Sequence, residues 1–422
     1  MKRPAFVVLA WALLIVVPGV SGQSGPAAHW VGTWATSPVG RAPAPAPPPA
    51  GAPAAPAGRG NAPAPLVPNN QTLRQVVHTS IGGDAVRIVL ANSFGTAPLQ
   101  VGAASVALRE NGSAIVTSTT HAVTFGGTPS TTIPAGAVMI SDPVTWTVPA
   151  FADLAIDVFL PNDMSTMPVT VHSGAYQTSY VSAGSHAGEH ELPAPSTTTS
   201  WYYLSRVEVR TAAPTEAIVT LGDSITDGTG STLDANSRWP DLLARRLAEQ
   251  RGGVTTAILN AGIAGNRLLS EAAPNFGINI LARLDRDVLA LTGATRLVVM
   301  IGINDIGLAR DNATPSAADL IAAQQQVIER AHARGLKVIG ATLTPFEGAA
   351  YFTQTGEAKR TALNTWIRTG KAYDGVIDFD AAVRDPRQPT KFQPQFENRD
   401  HLHPNDAGYQ AMSRAIDLTV FK

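Results

Sequence analysis

The feature that most restricts the fold is a regular alternation of apolar strands and amphipathic helices from about residue 213 onward. The predicted strands are 217–221, 256–259, 297–301, 337–342 and 376–379, and the predicted helices are 239–250, 278–291, 317–333, 357–369 and 406–420. Such an alternation predicts a parallel, doubly wound sheet with a helix after each strand. Ligands bind these sheets at the carboxyl ends of the strands, so chemistry is expected directly after each strand.

The preceding region reads differently, as all-β. Short β-branched or alternating runs punctuated by Gly, Pro, Asn and Asp predict strands at 72–79, 85–91, 99–108, 122–125, 144–148, 154–160 and 168–172. An earlier run, HWVGTWAT, predicts a strand that carries Trp30 and Trp34. Regularly spaced short strands with turn signals are typical of a β-sandwich or jelly roll. We expect this region to pack on the α/β domain and to govern substrate choice more than chemistry.

A Pro/Ala-rich stretch at 38–68 interrupts the β region. It holds 11 of the 32 prolines, mixed with alanine and glycine. Such a composition cannot form a packed core and favours an extended, exposed segment. We interpret it as a long surface loop within a folded unit, with a plain linker after a disordered N-terminus as the alternative.

The first 22 residues have the pattern of a secretory signal peptide. Lys2 and Arg3 precede a run of 13 apolar residues that ends before Pro18, and small residues follow up to Gly22. An uncleaved membrane anchor is the alternative. No later segment reaches the roughly 18 apolar residues of a membrane span, so no stable anchor is expected after cleavage. The predicted organisation is a signal peptide at 1–22, a β-sandwich domain at 23–212 and an α/β domain at 213–422, in a secreted or periplasmic protein.

Charge and cysteine content exclude several classes of function. Lys and Arg (31) nearly balance Asp and Glu (32), so the chain lacks the positive field expected of a nucleic-acid-binding protein. Without cysteine, it has no disulfide framework, zinc finger, iron–sulfur centre or thiol nucleophile.

A candidate nucleophile follows the first α/β strand. Ser224, within Gly-Asp-Ser-Ile-Thr-Asp-Gly, comes at a strand-to-turn corner, where its hydroxyl can be presented at the functional edge of the sheet. Serine is a weak nucleophile and requires a base within hydrogen-bond reach. By itself this motif also fits an ordinary turn.

The base is expected before the last predicted helix, in Asp400-His401-Leu402-His403-Pro404. Pro404 disfavours helical geometry at His403, which therefore belongs in a loop. Asp400, three residues earlier, can accept a hydrogen bond from its imidazole and stabilise the imidazolium. His401 is the competing candidate, and surface histidines beside a capping aspartate are the alternative.

Two further turns supply hydrogen-bond donors. NAGIAGN, with Gly265, follows the second α/β strand, and Gly302-Ile303-Asn304-Asp305 follows the third. A glycine N–H and an Asn amide are the groups that an oxyanion hole requires. Four such turns, each at the predicted functional edge, make coincidence improbable.

Together these blocks resemble the SGNH hydrolases, also called GDSL lipases and esterases, over about residues 215–422. The resemblance implies a five-stranded parallel, flavodoxin-like sheet, with Ser224 as nucleophile, His403 as base and Asp400 as its partner. It also implies an oxyanion hole formed by the N–H groups of Ser224 and Gly265 and the side chain of Asn304, with no metal or cofactor. The N-terminal part is similar to the extension of a secreted bacterial subgroup. The Pro/Ala stretch departs from the compact version of that extension.

The predicted function is hydrolysis of carboxylic esters by a secreted serine esterase, on short-chain or acetyl esters of small molecules or polysaccharides. A lipase or lysophospholipase, or a non-catalytic carbohydrate-binding protein, is the alternative.

A third interpretation is a zinc peptidase, because His186-Ala-Gly-Glu-His190 fits an H-x-x-E-H pattern. That chemistry needs both histidines on one face of a helix, and the surrounding Gly and Pro residues favour a loop.

Overall fold

The computed structural model describes residues 28–42, 66–212, 214–271, 274–309 and 314–422. The predicted signal peptide and most of the Pro/Ala-rich stretch lie outside these residues. Among the described residues, no helix combines the length and hydropathy needed to cross a bilayer.

The described N-terminal part is built from β-strands alone, apart from one 3₁₀ turn at Thr117–Thr119. Its strands are β1 (His29–Ala35), β2 (Val39–Arg41), β3 (Gln71–His78), β4 (Gly83–Ala91), β5 (Leu99–Val101), β6 (Ala103–Asn111), β7 (Ala114–Ile115), β8 (His121–Val123), β9 (Thr131–Ile133), β10 (Val138–Ile140), β11 (Val144–Val148), β12 (Asp153–Leu160), β13 (Val169–His172), β14 (Ser179–Ala183), β15 (Ser196–Thr198), β16 (Trp201–Tyr202) and β17 (Leu204–Thr211).

These strands form antiparallel sheets, as the prediction of a β-rich region required. One sheet has the order β1-β17-β4-β10, with β11 also on β4, and a larger one has the order β15-β14-β3-β12-β6-β7, with β8 also on β6. Two smaller sheets pair β16-β13-β2 and β5-β9. Alternate residues of β4 (Val86, Ile88 and Leu90) belong to the same continuous core as Val106 of β6 and Ile156 of β12. The large sheets therefore bury their apolar side chains in one core.

The α/β part contains the predicted alternation. Its elements are β18 (Glu216–Gly222), α1 (Ser224–Asp227), α2 (Trp239–Arg251), β19 (Thr256–Gly262), α3 (Ile280–Leu284), β20 (Ala294–Met300), α4 (Ile303–Gly307), α5 (Ala317–His332), β21 (Lys337–Ala341), α6 (Gln354–Thr369), β22 (Gly375–Ile377), α7 (Phe379–Val383) and α8 (Asp406–Ala415). The five strands are parallel and have the order β19-β18-β20-β21-β22. This is the flavodoxin-like order 2-1-3-4-5, which confirms the predicted fold class. The strand that leads to Ser224 lies between two neighbours.

The largest differences from the predicted elements occur at three places. The strand predicted at 99–108 is divided at Gly102, where a Cβ would lie 2.6 Å from the ring of Phe159, and its halves join different sheets. The helix predicted at 278–291 is α3 followed by a π-helical turn, Asp285–Leu289, which brings Asp287 beside Arg283. The last helix ends at Ala415, and Asp417 caps a separate 3₁₀ turn.

The β region and the α/β part share one core. The N–H of Gly32 in β1 donates to the carbonyl of Thr292 (2.9 Å), and Ser80 Oγ accepts the N–H of Ile258 in β19 (3.1 Å). Glu208 of β17, which is fully buried, accepts a hydrogen bond from the Thr292 hydroxyl (2.7 Å). These contacts cross the boundary at buried positions, so the two parts form one packed unit.

The flanks of the Pro/Ala-rich stretch are ordered in the fold. On one side β2 pairs with β13, and on the other the N–H of Leu66 donates to the Tyr202 hydroxyl (2.8 Å).

Replacing residues 43–65 by about eight Gly/Ser residues should change the free energy of unfolding by no more than about 1 kcal/mol, because loop-closure entropy varies slowly with length. Chemical denaturation measures this change. Extending the deletion through β2 is the control and should destabilise the protein, and a large loss from the short deletion alone would contradict the interpretation as a loop.

Candidate active site

Ser224 lies where β18, an interior strand of the parallel sheet, turns into a helix. β18 ends at Gly222, and Asp223 caps the four-residue helix α1 by accepting the N–H of Ile225 on its Oδ1 (3.1 Å). Gly228 caps the C-terminus of α1 with a φ of +115°, a conformation that glycine adopts without steric cost. The turn therefore holds Ser224 at the carboxyl edge of the sheet with only 5% of its surface exposed.

His403 and Asp400 complete a chain of hydrogen bonds that starts at Ser224. The Ser224 hydroxyl lies 2.8 Å from His403 Nε2, and His403 Nδ1 lies 2.6 Å from Asp400 Oδ2. Asp400 Oδ1 also accepts the backbone N–H groups of Leu402 (3.0 Å) and His403 (2.9 Å). These bonds fix the carboxylate against the imidazole, so His403 can act as a base towards Ser224.

The environment keeps Asp400 ionised. Partial burial alone would raise the pKa of Asp400, but the hydrogen bonds from the His403 ring and backbone and the charge of that ring lower it to about 2. A carboxylate that is charged throughout the neutral range can stabilise an imidazolium on His403.

The loop that carries the base is tied to the loop that carries the serine. Asp406, the first residue of α8, accepts hydrogen bonds from the hydroxyls of Thr232 (2.6 Å) and Ser237 (2.6 Å). Tyr409, one turn later, donates to the carbonyl of Thr229 (2.7 Å). These contacts hold together two segments that are far apart in the sequence.

His401 has other contacts. Its ring is half exposed and lies 3.3 Å from a carboxylate oxygen of Glu397, and its backbone has a φ of +60°. No hydrogen bond between His401 and Ser224 is found in the described part of the chain.

A hydrogen bond joins the turn that carries Gly265 to Asn304, which lies in the first turn of α4. Asn304 Nδ2 donates to the carbonyl of Asn266 (3.1 Å), the residue after Gly265. Gly265 has a φ of +74°, and a Cβ there would lie 2.3 Å from the Phe276 ring, so the site requires glycine. An amide nitrogen carries two hydrogens, and the second N–H of Asn304 can still donate to a substrate oxygen.

Two buried aspartates and a tyrosine near these residues were not singled out by the sequence. Asp305 accepts the N–H groups of Leu268 (2.8 Å) and Leu269 (3.0 Å), and burial raises its pKa to about 6. Burial likewise raises the pKa of Asp223 to about 7. The hydroxyl of Tyr351 lies 3.4 Å from Asn304 Oδ1. Asp223 belongs to the Gly-Asp-Ser motif and Asp305 to the Gly-Ile-Asn-Asp motif, whereas no sequence signal pointed to Tyr351.

The H-x-x-E-H segment is a loop, which does not give the helical geometry that a zinc peptidase needs. His186 Nδ1 lies 3.0 Å from Glu189, whereas His190 Nε2 faces Glu110 (3.1 Å). The buried Arg74, paired with Asp157, donates to the carbonyls of both Glu189 and His190. Within the described ranges, no group of three or more His, Asp or Glu side chains could hold a metal ion.

The carboxyl edge of this parallel sheet carries a hydroxyl, an imidazole and a carboxylate that are hydrogen-bonded in series. This arrangement is typical of serine hydrolases. Residues 220–411 match the family model described as the GDSL-like lipase/acylhydrolase family, and the α/β domain of this chain is a member of that family. By class the chain is therefore a carboxylic ester hydrolase.

Solved structures that are similar to the chain cover about half of it. One is an aryl esterase of M. smegmatis, with 15% identity and a TM-score of 0.39 over 49% of this chain and 98% of that one. Another is a carbohydrate acetylesterase family member from Sinorhizobium meliloti, with 15% identity and a TM-score of 0.37 over 49% and 97% of the two chains. A comparison with curated proteins gave no significant match.

Replacing Asn304 should slow turnover more than it weakens binding. Loss of one oxyanion donor typically lowers kcat by about 10²–10³, so Asn304→Ala should show this loss with a smaller change in KM for a small ester. Tyr351→Phe is the matched control, since it removes only the hydroxyl beside Asn304, and its loss should be smaller. Steady-state kinetics separate the two constants, and an effect of Asn304→Ala on KM alone would show that Asn304 only binds substrate.

Proposed function

We propose that the protein is a secreted or periplasmic serine esterase that cleaves short-chain or acetyl esters through an acyl-enzyme. The observation that carries the proposal is the hydrogen-bond chain from Ser224 through His403 to Asp400 in an acylhydrolase domain. Export is proposed from the N-terminal basic and apolar residues alone.

In the proposed mechanism, His403 Nε2 takes the proton of Ser224 as Oγ attacks the ester carbonyl. Asp400 accepts the Nδ1–H bond throughout and stabilises the imidazolium that forms. The N–H groups of Ser224 and Gly265 and the amide of Asn304 stabilise the negative oxygen of the tetrahedral intermediate. His403 then gives its proton to the leaving alcohol, which departs as the acyl-enzyme forms.

Deacylation repeats the same chemistry with water. His403 removes a proton from the attacking water, and the second tetrahedral intermediate collapses to release the acid and restore the Ser224 hydroxyl. Every step uses groups of this chain, and none requires a metal ion.

The proposed preference for small, polar esters is supported by a cleft next to the turns that follow Gly265 and Asn304. This cleft has a volume of about 610 Å³ and is bordered by the residues that follow Asn266 and Asn304. Charged side chains from Arg267, Glu271 and Asp319 contribute to its wall together with Leu269 and Leu308. A long acyl chain needs a mostly apolar channel, whereas an acetyl group on a polyhydroxy alcohol suits this mixed lining.

Hydrolysis of p-nitrophenyl acetate and of p-nitrophenyl palmitate by the purified protein tests the proposal, each with and without a chelator. We expect the acetate to be cleaved much faster, with equal rates in the two buffers. If the protein hydrolyses neither ester, the esterase assignment is refuted. Activity that disappears with the chelator and returns with zinc would support the metal-dependent alternative.

A further inference from the structure

A buried polar network joins the β region to the loop that carries Gly265. We call residues 263–266 the donor loop. Asp227, at the end of α1 and 3% exposed, accepts the N–H of Ala264 on its Oδ2 (3.0 Å). At the other end of the loop, the side-chain oxygen of Asn266 accepts a hydrogen bond from Arg283 Nε (3.0 Å). The donor loop is thus held from both sides by buried charged groups.

The β region in turn holds both of these groups. His172 Nε2, at the end of β13, lies 2.9 Å from Asp227 Oδ1, and His172 Nδ1 lies 2.9 Å from the carbonyl oxygen of Ser37. The hydroxyl of Ser37 accepts a hydrogen bond from Arg283 Nη1 (3.0 Å). Ser37 and Arg283 are fully buried and His172 is 4% exposed, so water does not substitute for these contacts.

Both ring nitrogens of His172 face oxygen acceptors, which is the arrangement of a doubly protonated ring. Burial alone would lower the pKa of His172, but the charge of Asp227 and the hydrogen bonds to both acceptors raise it above its ordinary value. Trp201 stacks on the ring with a centroid distance of 5.6 Å and an interplanar angle of 28°. The hydrogen bonds and the stacking together fix the position of the ring.

The same network reaches the strand that carries the nucleophile. Arg283 Nη2 donates to the carbonyl of Gly222, two residues before Ser224, and Nη1 donates to the carbonyl of Ala261. The approach of the β region is close, because a Cβ on Gly174 would lie only 2.8 Å from Asp227 Oδ2. The network thus lies directly behind the serine turn and the donor loop.

We propose that His172 and Ser37 are positioning residues for the donor loop, acting through Asp227 and Arg283, so that the β region takes part in turnover itself. This inference rests on the proposed function, since it treats the N–H of Gly265 as an oxyanion donor. The sequence had suggested a role for the β region in substrate choice. The contacts assign it a role in holding the oxyanion site.

Two variants of the full chain that differ by one methylene group test this inference. In His172→Gln the side-chain amide is long enough to reach Asp227. In His172→Asn it matches only the Nδ1 position and can bond to Ser37 alone. A small displacement of a catalytic group can cost about 10²-fold in rate. We therefore expect kcat for p-nitrophenyl acetate to fall by about 10- to 100-fold in His172→Asn, with a much smaller change in KM, and to recover most of that loss in His172→Gln.

Ser80→Ala is the control for a purely structural effect. It removes another buried hydrogen bond between the two parts, the one to the N–H of Ile258 in β19, together with a bond to the carbonyl of Thr33 in the β region. Neither bond involves the donor loop. It should lower the melting temperature and leave kcat close to wild type. Equal kcat for the two His172 variants, whether both are high or both are low, would overturn the proposal.

Amide hydrogen exchange of the peptide that spans residues 260–268 provides a readout independent of activity. The Ala264 amide should exchange faster in His172→Asn than in His172→Gln, Ser80→Ala or wild type. If wild type hydrolyses no ester, the proposed function fails, and the exchange data still decide whether His172 holds the loop. Equal exchange in all four proteins would overturn the positioning role.

Discussion

Ser224→Ala is expected to abolish ester hydrolysis, with kcat lower by about 10⁴–10⁶. The hydroxyl of Ser224 makes its hydrogen bond to His403, and α1 is capped by Asp223 rather than by the serine itself. The melting temperature should therefore change little. Ser231→Ala is a matched control, because the Ser231 hydroxyl donates to the carbonyl of Gly228 in the neighbouring turn (2.7 Å) rather than to His403. If the Ser224→Ala enzyme keeps near-normal turnover, Ser224 is not the nucleophile.

His403→Asn is expected to cost a similar loss, about 10⁴-fold or more in kcat, because the variant loses the imidazole nitrogen that lies 2.8 Å from the Ser224 hydroxyl. His401→Asn is the matched variant two residues away. It should retain most of the activity, since His401 is half exposed and asparagine tolerates its positive φ. Parallel measurement of kcat in both variants distinguishes the two histidines. An inactive His401→Asn beside an active His403→Asn would show that the base was misassigned.

The α/β half could be predicted because its signals are local. Each parallel strand is an apolar run, and each carries its functional turn at its carboxyl end, so strand order along the chain places Ser224, Gly265 and Asn304 at one edge. Pro404 indicated that His403 lies in a loop. The hydrogen-bond distances among these side chains were beyond sequence reasoning, because they depend on how the loops pack.

The β region was predicted less completely. β17 was overlooked, although its sequence LSRVEVRT alternates apolar and polar residues as a half-buried strand does. It lies between β1 and β4 at the centre of its sheet. The division of the strand at Gly102 depends on the Phe159 ring of another strand, which no local pattern reveals.

The buried network behind the donor loop had no sequence signal at all. His172 and Arg283 lie 111 positions apart along the chain, in segments that showed only strand and helix patterns. Their roles follow from tertiary contacts, since each satisfies acceptors from two parts of the molecule. A lone histidine in a strand gives no indication of the partner that it meets in the fold.

Covalent labelling tests the central claim, a Ser224 nucleophile activated by His403, most directly. The purified protein would be treated with a fluorophosphonate, which reacts with activated serine hydroxyls, and the site would be mapped by mass spectrometry of its peptides. We expect one label per chain, on Ser224, which is absent from Ser224→Ala, strongly reduced in His403→Asn and retained in His401→Asn. A fully active protein that takes no label, or that carries it on another residue, would contradict the account.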